Sequence, residues 1–156
     1  MGDALFKEVD SQLSDIVNSL HISDELDKLS DALASLHIET DIRKITVFVC
    51  PIKCCYSADY FTCIHEMFVM LGDYLPHSII HEYLHLAVKP LVQKHKAHIL
   101  TKPDDKYLIL DSSYYLNDDD DGFLNAFEEH IVRLASGKIS CGQKVDIEHM
   151  ILSEML

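Results

Sequence analysis

Basic charge is what this chain has least of. Thirteen lysines and arginines face 26 acidic side chains, a formal charge of -13, and Arg43 and Arg133 are the sole arginines. That balance argues against nucleic acid and anionic membrane as partners, because both need a basic face. Long apolar runs are missing as well; none approaches the roughly 20 residues of a membrane-spanning helix. The beginning, Met1-Gly2-Asp3-Ala4-Leu5-Phe6-Lys7-Glu8, has no basic segment leading into an apolar run, so no signal peptide is expected. The five cysteines (Cys50, Cys54, Cys55, Cys63 and Cys141) have no framework spacing. The cluster Cys50-Pro51-Ile52-Lys53-Cys54-Cys55 lacks the paired C-x-x-C of a second metal site. Reduced thiols and a cytoplasmic location are the expectation. Internal repeats are absent, and the single biased segment is Asp118-Asp119-Asp120-Asp121.

What is present suffices for one folded unit. With 156 residues, 48% of them hydrophobic, the chain reads as a single domain, residues 1–156, around one core. Residues 1–40 are expected to form a helical backing segment and residues 41–156 the core that carries any site. Leu5, Val9, Leu13, Ile16, Val17 and Leu20 follow helical spacing, and Leu26, Leu29, Leu33 and Leu36 continue it after Ser23, a candidate N-cap. The β-rich run Ile45-Thr46-Val47-Phe48-Val49-Cys50 predicts a strand stopped by Pro51. Residues 60–70 predict a second β run, with His65 and Glu66 assigned to pairing or solvent contact. A helix follows Pro76, and Pro90 is expected to end or kink it, with residues 91–100 resuming. Two more helices are predicted, over residues 122–136 and 143–156. These elements make an α+β fold.

The chemistry lies in His81-Glu82-Tyr83-Leu84-His85. Histidines four residues apart on a helix share one face, so both imidazoles can reach one ion. Glu82 then points toward the same cleft, where it can take a proton from a metal-bound water. This is the HExxH arrangement of zinc metalloproteases. With 10 histidines and nine glutamates in the chain, chance would produce it about once in 30 such chains. The apolar flanks Ser78-Ile79-Ile80 and Leu86-Ala87-Val88 favour the site, because the alternative is a core helix with a lone buried carboxylate.

Two histidines do not make a tight zinc site, and a third protein ligand must come from elsewhere. An HExxH-x-x-G-x-x-H extension is excluded, since Val88 and Leu91 stand where Gly and His would be. His95 and His98 would need the chain past Pro90 to fold back. The segment Phe123-Leu124-Asn125-Ala126-Phe127-Glu128-Glu129-His130-Ile131-Val132-Arg133 offers two glutamates. Glu128 lies nearer the apolar stripe of Leu124, Phe127, Ile131 and Leu134.

On Ile80-His81-Glu82-Tyr83-Leu84-His85, Pro90-Leu91 and Glu129-x-x-Val132-Arg133, the chain resembles the gluzincins, above all their small bacterial members. Gluzincins are zinc peptidases whose third ligand is a helical glutamate well past the HExxH. The resemblance covers residues 45–135. It implies a zincin-like fold: N-terminal helices on a small mixed sheet, an HExxH helix and a downstream glutamate helix. It implies zinc held by His81, His85 and Glu129, Glu82 as general base, and a peptide or protein substrate. Arg133 departs from thermolysin-like gluzincins, which carry there an acid that holds a histidine, so the ligand surroundings are expected to differ. Arg133 is read as holding a carboxylate, and Tyr114, Tyr115 and His130 are alternative candidates for an oxyanion donor.

Two alternatives stand beside this reading. One is a zinc-binding domain without turnover. The other is a calcium-binding or interaction module built on residues 117–128, where Asp119, Asp121, Gly122, Leu124 and Glu128 nearly fit an EF-hand loop.

Overall fold

The structure, a computed structural model, describes residues 22–36, 40–50, 53, 58–72, 77–101 and 120–156, together with Ser11, Ser14, Asp15 and Asn18. Four helices and three strands appear among them: α1 (Ile22–Leu36), β1 (Lys44–Val49), β2 (Ala58–Cys63), β3 (Glu66–Leu71), α2 (Ser78–Ile99), α3 (Asp120–Ser140) and α4 (Ile147–Glu154). This is an α+β architecture, as the hydrophobic patterning predicts. The stripe from Leu5 to Leu20 and residues 102–119 lie outside the described residues.

The sheet runs β1-β3-β2, with β1 parallel and β2 antiparallel to β3. Period-2 alternation sends Met67, Val69 and Leu71 of the central strand fully into the core. Residues 60–70 are not one strand. They fold into a β2–β3 hairpin around Ile64 and His65, with Ile64 in the left-handed region at φ 57. Neither residue is a usual turn former, and the turn is held from outside. Arg43 N donates to His65 O at 2.7 Å, and His65 Nδ1 lies 3.1 Å from the carbonyl oxygen of Asp41. Glu66 pairs with Lys44 across the β1–β3 ladder. Both residues thus take the pairing and contact roles expected of them.

Helix α2 does not end at Pro90 but continues to Ile99. Pro90 is exposed, and on that side a carbonyl deprived of its amide partner can turn to water. Beyond it Val92 and Ile99 remain buried, so burial of the distal half holds the helix together. Helix α3 passes through Gly137 to Ser140, further than predicted, because Ile139 is also buried. Helix α4 starts at Ile147 instead of Gln143, capped by Asp146, whose side chain accepts from His149 N at 2.9 Å. Ser23 lies inside α1, which begins at Ile22.

One core joins these elements. Leu84 and Val88 of α2 pack with Phe127, Ile131 and Ala135 of α3, Ile151 of α4 and Leu29 of α1. Burying each large side chain contributes about 1.5–3 kcal/mol. The core therefore clamps α2 and α3 against each other, and these are the two helices that carry the site.

Candidate metal centre

His81 and His85 sit one turn apart on α2, and their rings meet edge to face at a centroid distance of 5.1 Å. Across from them stands Glu129 of α3. Its Oε1 lies 3.5 Å from His81 Nε2, and its Oε2 lies 3.5 Å from His85 Nε2. The ligand atoms of the three residues all fall within 4.8 Å of one another, and no other such group of His, Cys, Asp or Glu occurs among the described residues.

The three side chains are close enough together to hold a metal ion. For zinc, as one such ion, tetrahedral bonds of about 2.0–2.2 Å place ligand atoms about 3.3–3.6 Å apart. Two imidazoles and one carboxylate are also the ligand set of an open, catalytic zinc position.

Glu128 and Glu129 divide the work between them. Glu128 is buried, and its Oε1 lies 2.8 Å from His85 Nδ1. Facing a carboxylate, Nδ1 keeps its proton when the ring is neutral, and Nε2 is the nitrogen directed at Glu129. The nearness of Glu128 to the apolar stripe therefore reflects a real inward orientation, toward the back of His85. Arg133 Nε donates to Glu129 Oε1 at 2.6 Å, the carboxylate-holding role expected of it.

Electrostatics follow from this geometry. For His85, burial alone would lower the pKa. Hydrogen bonds to Glu128 and Glu129 outweigh that, and the ring is pushed up to about 9. For Glu129, burial opposes ionisation, but bonding to His81, His85 and Arg133 holds its carboxyl far below the usual carboxylate range. Glu82 is 8% exposed, and burial raises its pKa; His81 and His85 pull it down, while Glu129 and Asp59 add to the rise. A carboxylate with a raised pKa between two histidines is suited to accept and return a proton.

Other residues singled out in the sequence lie elsewhere. His95 Nε2 pairs with Glu148 of α4 at 2.9 Å, and His130 Nε2 lies 3.4 Å from Glu154 Oε2, so neither joins the metal group. Tyr114, Tyr115, Cys54 and Cys55 fall outside the described residues. The calcium-loop alternative meets an obstacle: α3 is helical from Asp120 through Glu128, where an EF-hand loop would need its fourth to twelfth positions, and Glu128 turns to His85.

The sequence carries no signal for Tyr60. Tyr60 of β2 stacks on His85, with centroids 5.8 Å apart and planes 16° from parallel. Burial raises the pKa of its hydroxyl, and the charges of Glu128 and Glu82 add to that, so it stays a donor. Nothing in the sequence around Tyr60 says which strand lies beside the HExxH helix.

Comparison with known proteins finds no matching family model, no matching curated protein and no matching solved structure.

Proposed function

We propose that this chain is a zinc-dependent peptidase with a zincin-like, gluzincin-type site. The observation that carries the reading is the convergence of His81 Nε2 and His85 Nε2 on the two oxygens of Glu129, with buried Glu82 beside them. His81, His85 and Glu129 would hold the ion. Zinc bound there supplies an acidified water and a Lewis acid for the scissile carbonyl. Glu82 takes the proton from the attacking water and returns it to the leaving amine. Glu128 keeps His85 in the ligating tautomer, and Arg133 steadies Glu129.

Tyr60 is the donor assigned to the developing oxyanion, in place of His130, which is turned toward α4. Its strand also supports a substrate mode. β2 is an edge of the sheet, and no described strand pairs on its outer side. An extended peptide could add there, passing the metal group, by main-chain hydrogen bonds. The acidic balance favours neutral or basic peptides over nucleic acid. No described helix is long and apolar enough to cross a membrane. A cytoplasmic setting is part of this proposal.

A zinc site without turnover is the second reading, and Glu82 distinguishes the two, because a structural site needs no base. The test uses zinc-loaded protein and a quenched-fluorescence peptide library. We expect about one zinc per chain, lost in His81→Ala, and cleavage that vanishes in Glu82→Gln while zinc is retained. Zinc without cleavage in the unaltered protein would leave the second reading standing. Absence of zinc would overturn both.

A further inference from the structure

The start of the metal-binding helix carries an unusual arrangement. The residue before α2, His77, sits in the left-handed region at φ 82 and ψ 5, and its side chain makes no capping hydrogen bond. The first bond of the helical ladder runs from His81 N to His77 O at 2.9 Å. The amide of Ile80, one residue earlier, falls outside that ladder, as the first amides of any helix do. Ile80 is wholly buried, so water is no substitute. Left without an acceptor, such a buried amide would be strongly disfavoured.

Its acceptor comes from another helix. Ile80 N donates to Glu25 Oε1 at 3.0 Å, across 55 residues of sequence. Glu25 is 4% exposed and shares the inward face of α1 with Leu29 and Ala32. Burying a carboxylate so deeply is costly unless a partner offsets it. The N-terminus of α2, with its orphan amides and the positive end of the helix dipole, is such a partner.

We propose that Glu25 is a positioning residue of the metal centre: carried by α1, it caps α2 in trans and sets the turn from which His81 and Glu82 project. The proposal rests on the zinc-site reading above. His81 follows Ile80 directly, and its Nε2 must reach the 3.5 Å separation from Glu129 Oε1. Fraying of the first turn moves that imidazole before it moves His85, one turn deeper. The α1 segment, a backing layer by sequence, is thus part of the site, and metal affinity depends on its docking.

Two substitutions separate the components. Glu25→Gln keeps an acceptor oxygen and removes the charge; Glu25→Ala removes both. The readouts are zinc affinity, by competition with a chromophoric chelator, and hydrogen exchange of the Ile80 amide in zinc-free full-length protein. We expect Glu25→Ala to weaken zinc about fivefold to tenfold, in keeping with the loss of a helix cap. Exchange at Ile80 should rise selectively, with α3 amides unchanged and Glu25→Gln between the two. Exchange rising equally through α2 and α3, with zinc affinity of the folded protein unchanged, would show a merely structural carboxylate and overturn the proposal. If Glu25→Ala does not fold, Glu25→Gln decides, and unaltered Ile80 exchange and zinc affinity there would overturn it. An unaltered chain that binds no zinc refutes the metal-centre reading; a normal Ile80 amide in the variants refutes the cap.

Discussion

Glu128 Oε1 stands 2.8 Å from Nδ1 of His85, on the side of the ring away from the carboxylate of its own neighbour Glu129. Consecutive residues of one helix thus grip one imidazole from both sides. The back contact decides which nitrogen is free to ligate, so its removal should damage metal binding without removing a ligand. Glu128→Ala is expected to weaken zinc about 10–100-fold, and Glu129→Ala by more. Chelator competition at constant pH checks the order of the two losses. Equal or reversed effects would mean that Glu128 is the ligand.

The same contacts set a pH dependence. In the metal-free protein His85 is pushed up from 6.5 to about 9, chiefly by Glu128 and Glu129 against the opposing effect of burial. Its folded pKa is raised, so the stability it contributes is fully present below about 6.5 and is lost as pH rises through about 9. Metal-free protein should lose on the order of 1–3 kcal/mol of stability across that window, measurable by urea denaturation. Zinc held as proposed would compete with the same proton. Its apparent affinity should climb with pH up to about 9, and calorimetry in buffers of different ionisation enthalpy should show proton release. Glu128→Gln should flatten both trends.

Tyr60 offers a separation of binding from chemistry. Its ring packs on His85, while the proposed role belongs to its hydroxyl. Tyr60→Phe keeps the stacking and removes the donor. Zinc affinity and KM should change little, and kcat should fall about 10²–10³-fold, the usual cost of an oxyanion donor. A fall in zinc affinity with unchanged kcat would assign Tyr60 to packing alone.

Much of this site was legible because its logic is local. His81, Glu82 and His85 lie within two turns of one helix, where spacing alone dictates a shared face. Glu129 was reachable because a resemblance named its helix, though the wheel pointed to Glu128. The wheel reported burial correctly. What it could not report was the object behind the buried carboxylate, which is His85. Tyr60 and Glu25 were not legible, since each meets α2 from an element whose packing no sequence period encodes. The β2–β3 turn was missed for a different reason. Ile64 and His65 carry no turn signal, and contacts from Asp41 and Arg43 hold the turn instead.

Pro90 provides a last test, because local chemistry and tertiary packing disagree there. A proline inside a helix removes one ladder bond and costs about 3 kcal/mol in an unsupported helix. Yet α2 runs on to Ile99, drawn by the burial of Val92 and Ile99. If packing alone overrides the proline, Pro90→Ala restores the missing bond at an exposed position and should stabilise the protein by about 1–3 kcal/mol. That corresponds to a rise of several degrees in Tm for a chain of this size. His81 and His85 lie on the N-terminal side of Pro90, clamped by α3 and capped from α1, so zinc affinity should stay within about twofold. Should zinc affinity fall while Tm rises, Pro90 would be shaping the helix axis at the metal centre, and the clamp between α2 and α3 would not be sufficient to hold the ligands in place.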